Sequence, residues 1–207
     1  MMIITIANAK GGVAKTTSAM YLAAAYGLRY EKEVHVLDAD VQGSASLWAD
    51  LAEQNGEDLG MVRVDAANAS TLKRLRRTLD QETDDGLWIV DAPPQGPVLE
   101  TAVKVADFVV VPTSPSPLDL QQAWATMSDI PEGKPAAVLV TRAERRTNAY
   151  RQTIIGLDEA GTPRFEEEHM ISKRQELVNA LGRKPSRLYE YPTVLDEIMQ
   201  VMQEANA

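Results

Sequence analysis

Residues 2–17 read MIITIANAKGGVAKTT, from Met2 to Thr17, and this stretch decides the fold. The run 2–7 is apolar and rich in β-branched residues, which predicts a strand buried on both faces. It empties into Lys10-Gly-Gly-Val-Ala-Lys-Thr-Thr17, and a helical pattern follows over 16–30. A strand that turns through glycines into a helix aims successive backbone N–H groups, and the positive end of the helix dipole, at an anion. Lys15 stands where it can bridge terminal phosphates, and the Thr16 hydroxyl where it can ligate Mg²⁺. Ala14 occupies a position where such loops usually have glycine; it keeps its N–H but restricts the backbone.

Working outward, apolar runs at 33–38, 61–65, 87–91, 107–112 and 136–141 alternate with helix-like stretches near 44–55, 69–80, 97–106 and 118–129. Apolar strands separated by helices predict an α/β fold, doubly wound, with a mainly parallel sheet and helices on both faces. Right-handed crossovers then bring every strand's C-terminal end to one edge, where ligands sit. On that edge strand 33–38 ends in Asp38-Ala-Asp40, and strand 87–91 ends in Asp91. A carboxylate closing an apolar strand beside a phosphate loop orders Mg²⁺ through water. Three prolines between Pro112 and Pro117 predict a stiff connecting loop, with framing of a nucleotide pocket or dimer surface as the alternative. No linker or repeat divides the chain, so residues 1–207 read as a single domain.

Composition narrows the chemistry. Of 207 residues, 44% are hydrophobic and 25% charged, a globular balance that argues against disorder. A chain of this length buries roughly 70% of its unfolded surface. The absence of cysteine excludes disulfides, thiolate metal sites and iron–sulfur clusters, and two isolated histidines disfavour an imidazole-built metal site. No apolar run reaches the roughly 18 residues of a membrane span, and the N-terminal stretch lacks a signal peptide's basic start, so a cytoplasmic location is expected. The formal net charge of −9 opposes a generic nucleic-acid coat. Residues 142–187 nevertheless hold ten basic side chains against seven acidic ones, and 188–207 hold four acids and no Lys or Arg. The tail 191–205 reads as an acidic amphipathic helix with Val194, Leu195, Ile198, Val201 and Met202 on one face.

KGGVAKTT at 10–17 resembles the deviant phosphate loop of the ParA/MinD family of ATPases. DADVQGSAS at 38–46 is similar to that family's DxDPQ switch segment, and WIVDAPP at 88–94 to its Walker B strand and following switch. The segments PTSPSPLDLQQAW and VTR at 140–142, and the late MISKRQELVNALGRKPSRLYEY, resemble the small plasmid-partition (ParF-like) subgroup. The likeness spans about residues 2–191. It implies a P-loop ATPase domain that uses ATP/ADP and Mg²⁺. By the same resemblance Lys10 is the signature lysine that reaches the partner's phosphates in a nucleotide-sandwich homodimer, and Lys15 is the Walker lysine. Gly11, Gly12, Val13, Ala14, Thr16 and Thr17 complete the nucleotide cradle, and Thr16 ligates the metal. Asp40 is the switch carboxylate that activates water, Asp38 the first switch aspartate and Asp91 the Walker B carboxylate, all three grouped about the metal. Thr141 and Arg142 fall near the adenine, with Arg142 either stacked on the base or a surface cation. Val41 stands where the family has proline. Neither that change nor Ala14 removes a charged or liganding group, so slow hydrolysis is expected.

The resemblance also implies a ParB-like centromere-binding partner and non-specific DNA binding, with nucleoid association in the ATP state. Arg142, Arg145, Arg146, Arg151, Lys173, Arg174, Arg183, Lys184 and Arg187 are candidate phosphate contacts, an ordinary solvated surface being the alternative. No N-terminal helix-turn-helix domain is expected. Because the tail is acidic it should be repelled by an anionic leaflet, so no membrane contact is expected. Segregation of plasmid or chromosomal DNA is the leading expectation. The alternative is a nucleotide-switched scaffold that positions a protein cargo or a conjugation complex. A ligase on the same scaffold is disfavoured by Lys10, which implies self-association.

Overall fold

Six strands in the computed structural model, which describes residues 2–79 and 86–205, run parallel in one sheet. They are β1 (Met2–Ile6), β2 (Val34–Asp38), β3 (Val62–Ala66), β4 (Leu87–Asp91), β5 (Phe108–Thr113) and β6 (Ala136–Val140), in the order β3-β2-β4-β1-β5-β6. Ile3, Ile4 and Ile6, Val34 and Val36, Ile89 and Val90, and Val109 to Val111 are all buried, as strands covered on both faces require.

The helices are α1 (Lys15–Tyr30), α2 (Ser44–Gln54), α3 (Ala69–Leu79), α4 (Pro97–Val105), α5 (Pro117–Ser128), α6 (Asn148–Glu159), α7 (Gln175–Val178) and α8 (Tyr191–Ala205), with a 3-10 turn at Glu167–His169. The chain moves from β1 through β2 to the β3 edge, then returns through β4 and β5 to β6. Right-handed crossovers therefore put α1 and α2 on one face and α3, α4 and α5 on the other. The contacts agree: α1 packs on α2 and α8, and α3 packs on α4. Neighbouring β1 and β4 send their helices to opposite faces, which opens a crevice at their C-terminal ends.

Helix α8 seals the α1 face. Val194, Leu195 and Ile198 are fully buried, and the Tyr191 hydroxyl lies 3.2 Å from Ser18 Oγ on α1. The apolar stripe of the acidic tail is thus consumed inside the protein, whereas Val201 stays partly exposed. No described helix is long and apolar enough to cross a membrane.

Pro112, where the predicted strand 107–112 and the proline-rich segment overlap, lies inside β5, opposite Leu139 of β6, and the strand runs one residue further to Thr113. Val109 N–H donates to Pro135 on the β6 side, so alternation turns position 112 toward β1. The β1 pairing stops at Val110, so no ladder bond is lost there, and only 114–116 remain as loop. Residues 142–187, read for their charge and their resemblance and not for elements, contain α6, the 3-10 turn and α7. The expected end of α3 at residue 80 lies outside the described residues.

Candidate nucleotide site at the β1–β4 crevice

The loop after β1 is anchored before it turns. Asn8 is fully buried; its side-chain amide donates to the Pro112 carbonyl at 2.8 Å, and its Oδ1 accepts from Lys10 N–H at 2.7 Å. Ala9 N–H donates to Thr126 Oγ1 on α5 at 3.1 Å. Gly12 and Ala14 both adopt left-handed backbone, with φ of 77° and 69°. Ala14 is the N-cap of α1, which has no side-chain cap and no acid in its first turn. The free N–H groups of that turn form an anion receptor. Thr141, buried at the end of β6, donates to the Val13 carbonyl at 3.3 Å and braces the loop from behind.

Lys15 is 9% exposed, and its Nζ donates to the carbonyls of Asn8 at 3.2 Å and Lys10 at 3.0 Å. Burial pulls its pKa below the usual lysine value, with Asp91 and Asp40 opposing. Asp38 and Asp91 end neighbouring strands in direct register. Thr16 Oγ donates to Asp91 Oδ2 at 2.6 Å. Asp91 is 2% exposed, and burial pushes its pKa up to about 7. The bond from Thr16 works against that rise, and the charge of Asp38 adds to it. Asp38 turns Oδ2 to Ser46, while its Oδ1 is buried with no hydrogen-bond partner among the described residues. Asp40 is half-buried and accepts from Gln42 N–H at 3.0 Å.

These groups floor a cleft of about 450 Å³, bounded by Gly11, Gly12, Thr17 and Gln42 and rimmed by Leu177, Val178 and Leu181. The hydroxyl of Thr16 and the carboxylate of Asp91 line the cleft and are hard oxygens of the kind Mg²⁺ takes, whereas Asp38 ends the neighbouring strand outside that lining. No cluster of three His, Cys, Asp or Glu among the described residues could hold a metal alone. A divalent cation here would need phosphate oxygens to complete its shell, so the residues fit a metal that arrives with a nucleotide.

Lys10 begins the loop and is not among the residues lining the cleft; its side chain is 41% exposed and its Nζ is 3.2 Å from Asp119 Oδ1 on α5. Ser114 Oγ also donates to Asp119. Burial raises the Asp119 pKa, but the bonds from Ser114 and Lys10 outweigh it and hold the carboxyl below its usual range. Arg142 is exposed, with a φ of 52°, and borders both the cleft and a narrow adjoining cavity that Thr17, Thr141 and Tyr191 also line.

Asn8, Thr126, Ser46 and Asp119 escaped the sequence reading. Only Asp119 carried a local signal: Ser116-Pro-Leu-Asp119 has the spacing of a helix N-terminus, and Ser116 Oγ caps Asp119 N–H at 3.2 Å. The basic segment does not present all its cations. Lys173 pairs with Glu144 at 2.9 Å and Arg174 with Glu190 at 2.8 Å, while Arg145 donates to the carbonyls of Glu168 and Met170. Arg187 lies over the Tyr189 ring. Arg146, Arg151, Arg183 and Lys184 are exposed and form no ion pair among the described residues. A second basic surface, Lys73, Arg74 and Arg77 on α3, was not anticipated.

Among known proteins, the chain is 38% identical over 173 residues to the maintenance of carboxysome distribution protein A of Gloeobacter kilaueensis, covering 79% of this chain and 74% of that protein. It is 31% identical over 184 residues to the chromosome-partitioning ATPase Soj of Thermus thermophilus, covering 72% of each. Cobyrinic acid a,c-diamide synthase from Mycobacterium smegmatis, solved with an ATP analogue and magnesium, shares the fold at a TM-score of 0.72. That match has 20% identity and covers 99% of this chain and 97% of that one. A family model described as the CobQ/CobB/MinD/ParA nucleotide binding domain matches residues 4–186, and the chain belongs to that family.

Proposed function

We propose that the protein is a ParA-type ATPase that binds Mg-ATP, dimerises through the nucleotide, and hydrolyses ATP slowly to time its release from a DNA surface. The Thr16–Asp91 bond at 2.6 Å beside the buried Lys15 carries this reading, because it supports a metal and a phosphate being held together at one strand edge. The loop N–H groups from Gly11 to Thr17 cradle the phosphates, and Lys15 exchanges its carbonyl partners for phosphate oxygens. Thr16 and Asp91 would hold the metal. Bound Mg²⁺ supplies neutralisation of charge on the phosphoryl group. Asp40 positions the attacking water, and Lys10 of a second copy adds positive charge to the phosphates once two chains meet. Val41, 95% exposed, and Val178 and Leu181 at the cleft rim give that second copy apolar surface to cover.

In this reading the dimer gathers the unpaired cations, Arg146, Arg151, Arg183 and Lys184 among them, to bind DNA without sequence preference. A ParB-like centromere-binding protein stimulates hydrolysis and links the cycle to a plasmid or chromosomal locus. A second reading, positioning of a protein cargo, is favoured by the likeness to a carboxysome distribution protein. The test is binding to an unrelated DNA duplex with ATP or ADP at two salt concentrations, with oligomeric mass followed in the same samples. ATP-only, salt-sensitive binding by a dimer, lost in Lys15→Ala and prolonged in Asp40→Ala, is expected. An ATP-dependent dimer that ignores DNA at every salt would overturn the DNA half and favour the protein-cargo reading. No dimer with either nucleotide would overturn the role of Lys10.

A further inference from the structure

Asp38 and Asp91 stand side by side at the ends of β2 and β4, yet they face different helices. Asp91 takes its hydrogen bond from Thr16 on α1, whereas Asp38 Oδ2 accepts both the backbone N–H and the hydroxyl of Ser46 on α2, each at 2.7 Å. Helix α2 has no cap of its own. Its N-cap is Gly43, held left-handed at φ 63°, with no side chain to offer and no acid in the helix's first turn. Ser46 is the third residue of the helix, where a capping oxygen is normally received. A carboxylate from the preceding strand therefore performs the capping, and its charge also suits the positive end of the helix.

The geometry closes residues 39–45 into a clasped loop, and Asp40 sits inside it. Asp40 accepts Gln42 N–H on its side chain and Gly43 N–H on its carbonyl at 2.9 Å, while Ala39 N–H donates to the Asp91 carbonyl at 3.0 Å. Among the described residues Asp40 bonds only within its own loop. Its place over the cleft is set by the two ends of the loop, β2 at one side and α2 at the other. We propose that Asp38 is a positioning residue, which acts through Ser46 to fix Asp40, and that Asp91 with Thr16 serves the metal. This replaces the expectation of Asp38 as a metal ligand and rests on the ATPase reading above.

Two measurements test it. The first is hydrogen exchange of the nucleotide-free protein, which needs neither metal nor turnover. Ser46→Ala and Asp38→Asn should each speed exchange over residues 39–47 by about tenfold while leaving α1 protected. Ser46→Thr, which keeps the hydroxyl, should restore protection. The second is steady-state hydrolysis across a Mg²⁺ titration. Ser46→Ala should lower kcat about fivefold and Asp38→Asn about tenfold, with KM for ATP and the Mg²⁺ half-saturation point unchanged within about twofold. The double variant should be no slower than Asp38→Asn alone, because both break one clasp.

A rise of about tenfold or more in the Mg²⁺ requirement of Asp38→Asn, absent in Ser46→Ala, would make Asp38 a metal ligand and overturn the proposal. Unchanged exchange over 39–47 in Ser46→Ala would overturn it even if Asp38→Asn fails to fold. Failure of the underlying ATPase reading has a separate signature: wild type and Asp40→Ala would be equally inactive. The catalytic part of this inference would fall with it, and the exchange result would still report whether the clasp holds the loop.

Discussion

Lys15 and Lys10 lie five residues apart in one loop and are held by opposite means. Lys15 is buried, curled back over the loop and bonded to two main-chain carbonyls, a set of partners that no other side chain supplies. Lys10 is half in solvent and held by a single carboxylate on α5. The first lysine is part of the fold's inner wall, and its charge is kept in a place where burial disfavours it until an anion arrives. The second is parked, and an exposed ion pair of this kind contributes only about 0–1 kcal/mol. Permanent residence and easy release are thus encoded by burial, within the same eight residues.

The largest test of that contrast is Lys15→Ala. It should weaken ATP binding by about a hundredfold in a calorimetric titration, since the phosphates lose the buried cation beside the loop. Lys10→Ala should leave monomer affinity for ATP within about threefold and lower ATP-dependent dimer formation by at least about tenfold in sedimentation. Equal losses of affinity in the two variants would break the comparison.

Burial also governs Asp91, whose pKa stands near 7 against an ordinary 3.8. Between about pH 4 and 7 the unfolded chain gives up this proton before the folded one does, so the folded state binds more protons and stability falls as pH rises. Above about pH 7 the decline ends. Asp91→Asn, which still accepts from Thr16, should therefore raise the nucleotide-free melting temperature by about 5 °C at pH 8 and by much less at pH 4. Asp119→Asn should loosen Lys10 and favour the ATP-bound dimer about threefold, read from the same sedimentation series. The smallest effect belongs to Ala14→Gly. Alanine at φ 69° costs about 1 kcal/mol relative to glycine, but glycine adds about 0.4–1 kcal/mol of unfolded-chain entropy, so the variant should unfold at only slightly higher urea.

The central strands and their helices are legible because β1, β4, β5 and β6 are mostly apolar runs, whereas edge strand β3 carries Arg63 and Asp65 and reads as a strand through its alternating valines. The carboxylates were legible because strand ends on one edge need no knowledge of side-chain direction. Pro112 carries strand and loop signals at once, and the early end of the β1 pairing is what lets a proline stay in the strand. Helix α6 was passed over for its charges. Yet Tyr150, Thr153, Ile154 and Leu157 recur at helical spacing, and Thr147 caps Tyr150 N–H at 3.2 Å. The partners of Lys10 and Asp38 were beyond reach for a different reason. One depends on β5 lying beside β1, and the other on a left-handed glycine that swings α2 back over its own strand.

The position of β1 has a consequence for the order of assembly. It is the fourth strand across the sheet, between β4 and β5, so its partners are residues 87–91 and 108–110. A growing chain that has emerged only as far as residue 79 holds every atom of the loop from Lys10 to Thr17 and neither of its walls. Such distant pairings form late and slowly. Capture of a phosphate by this loop should therefore begin abruptly, once the segment through Thr113 has left the ribosome, making the ligand a reporter of the assembly of the sheet's centre.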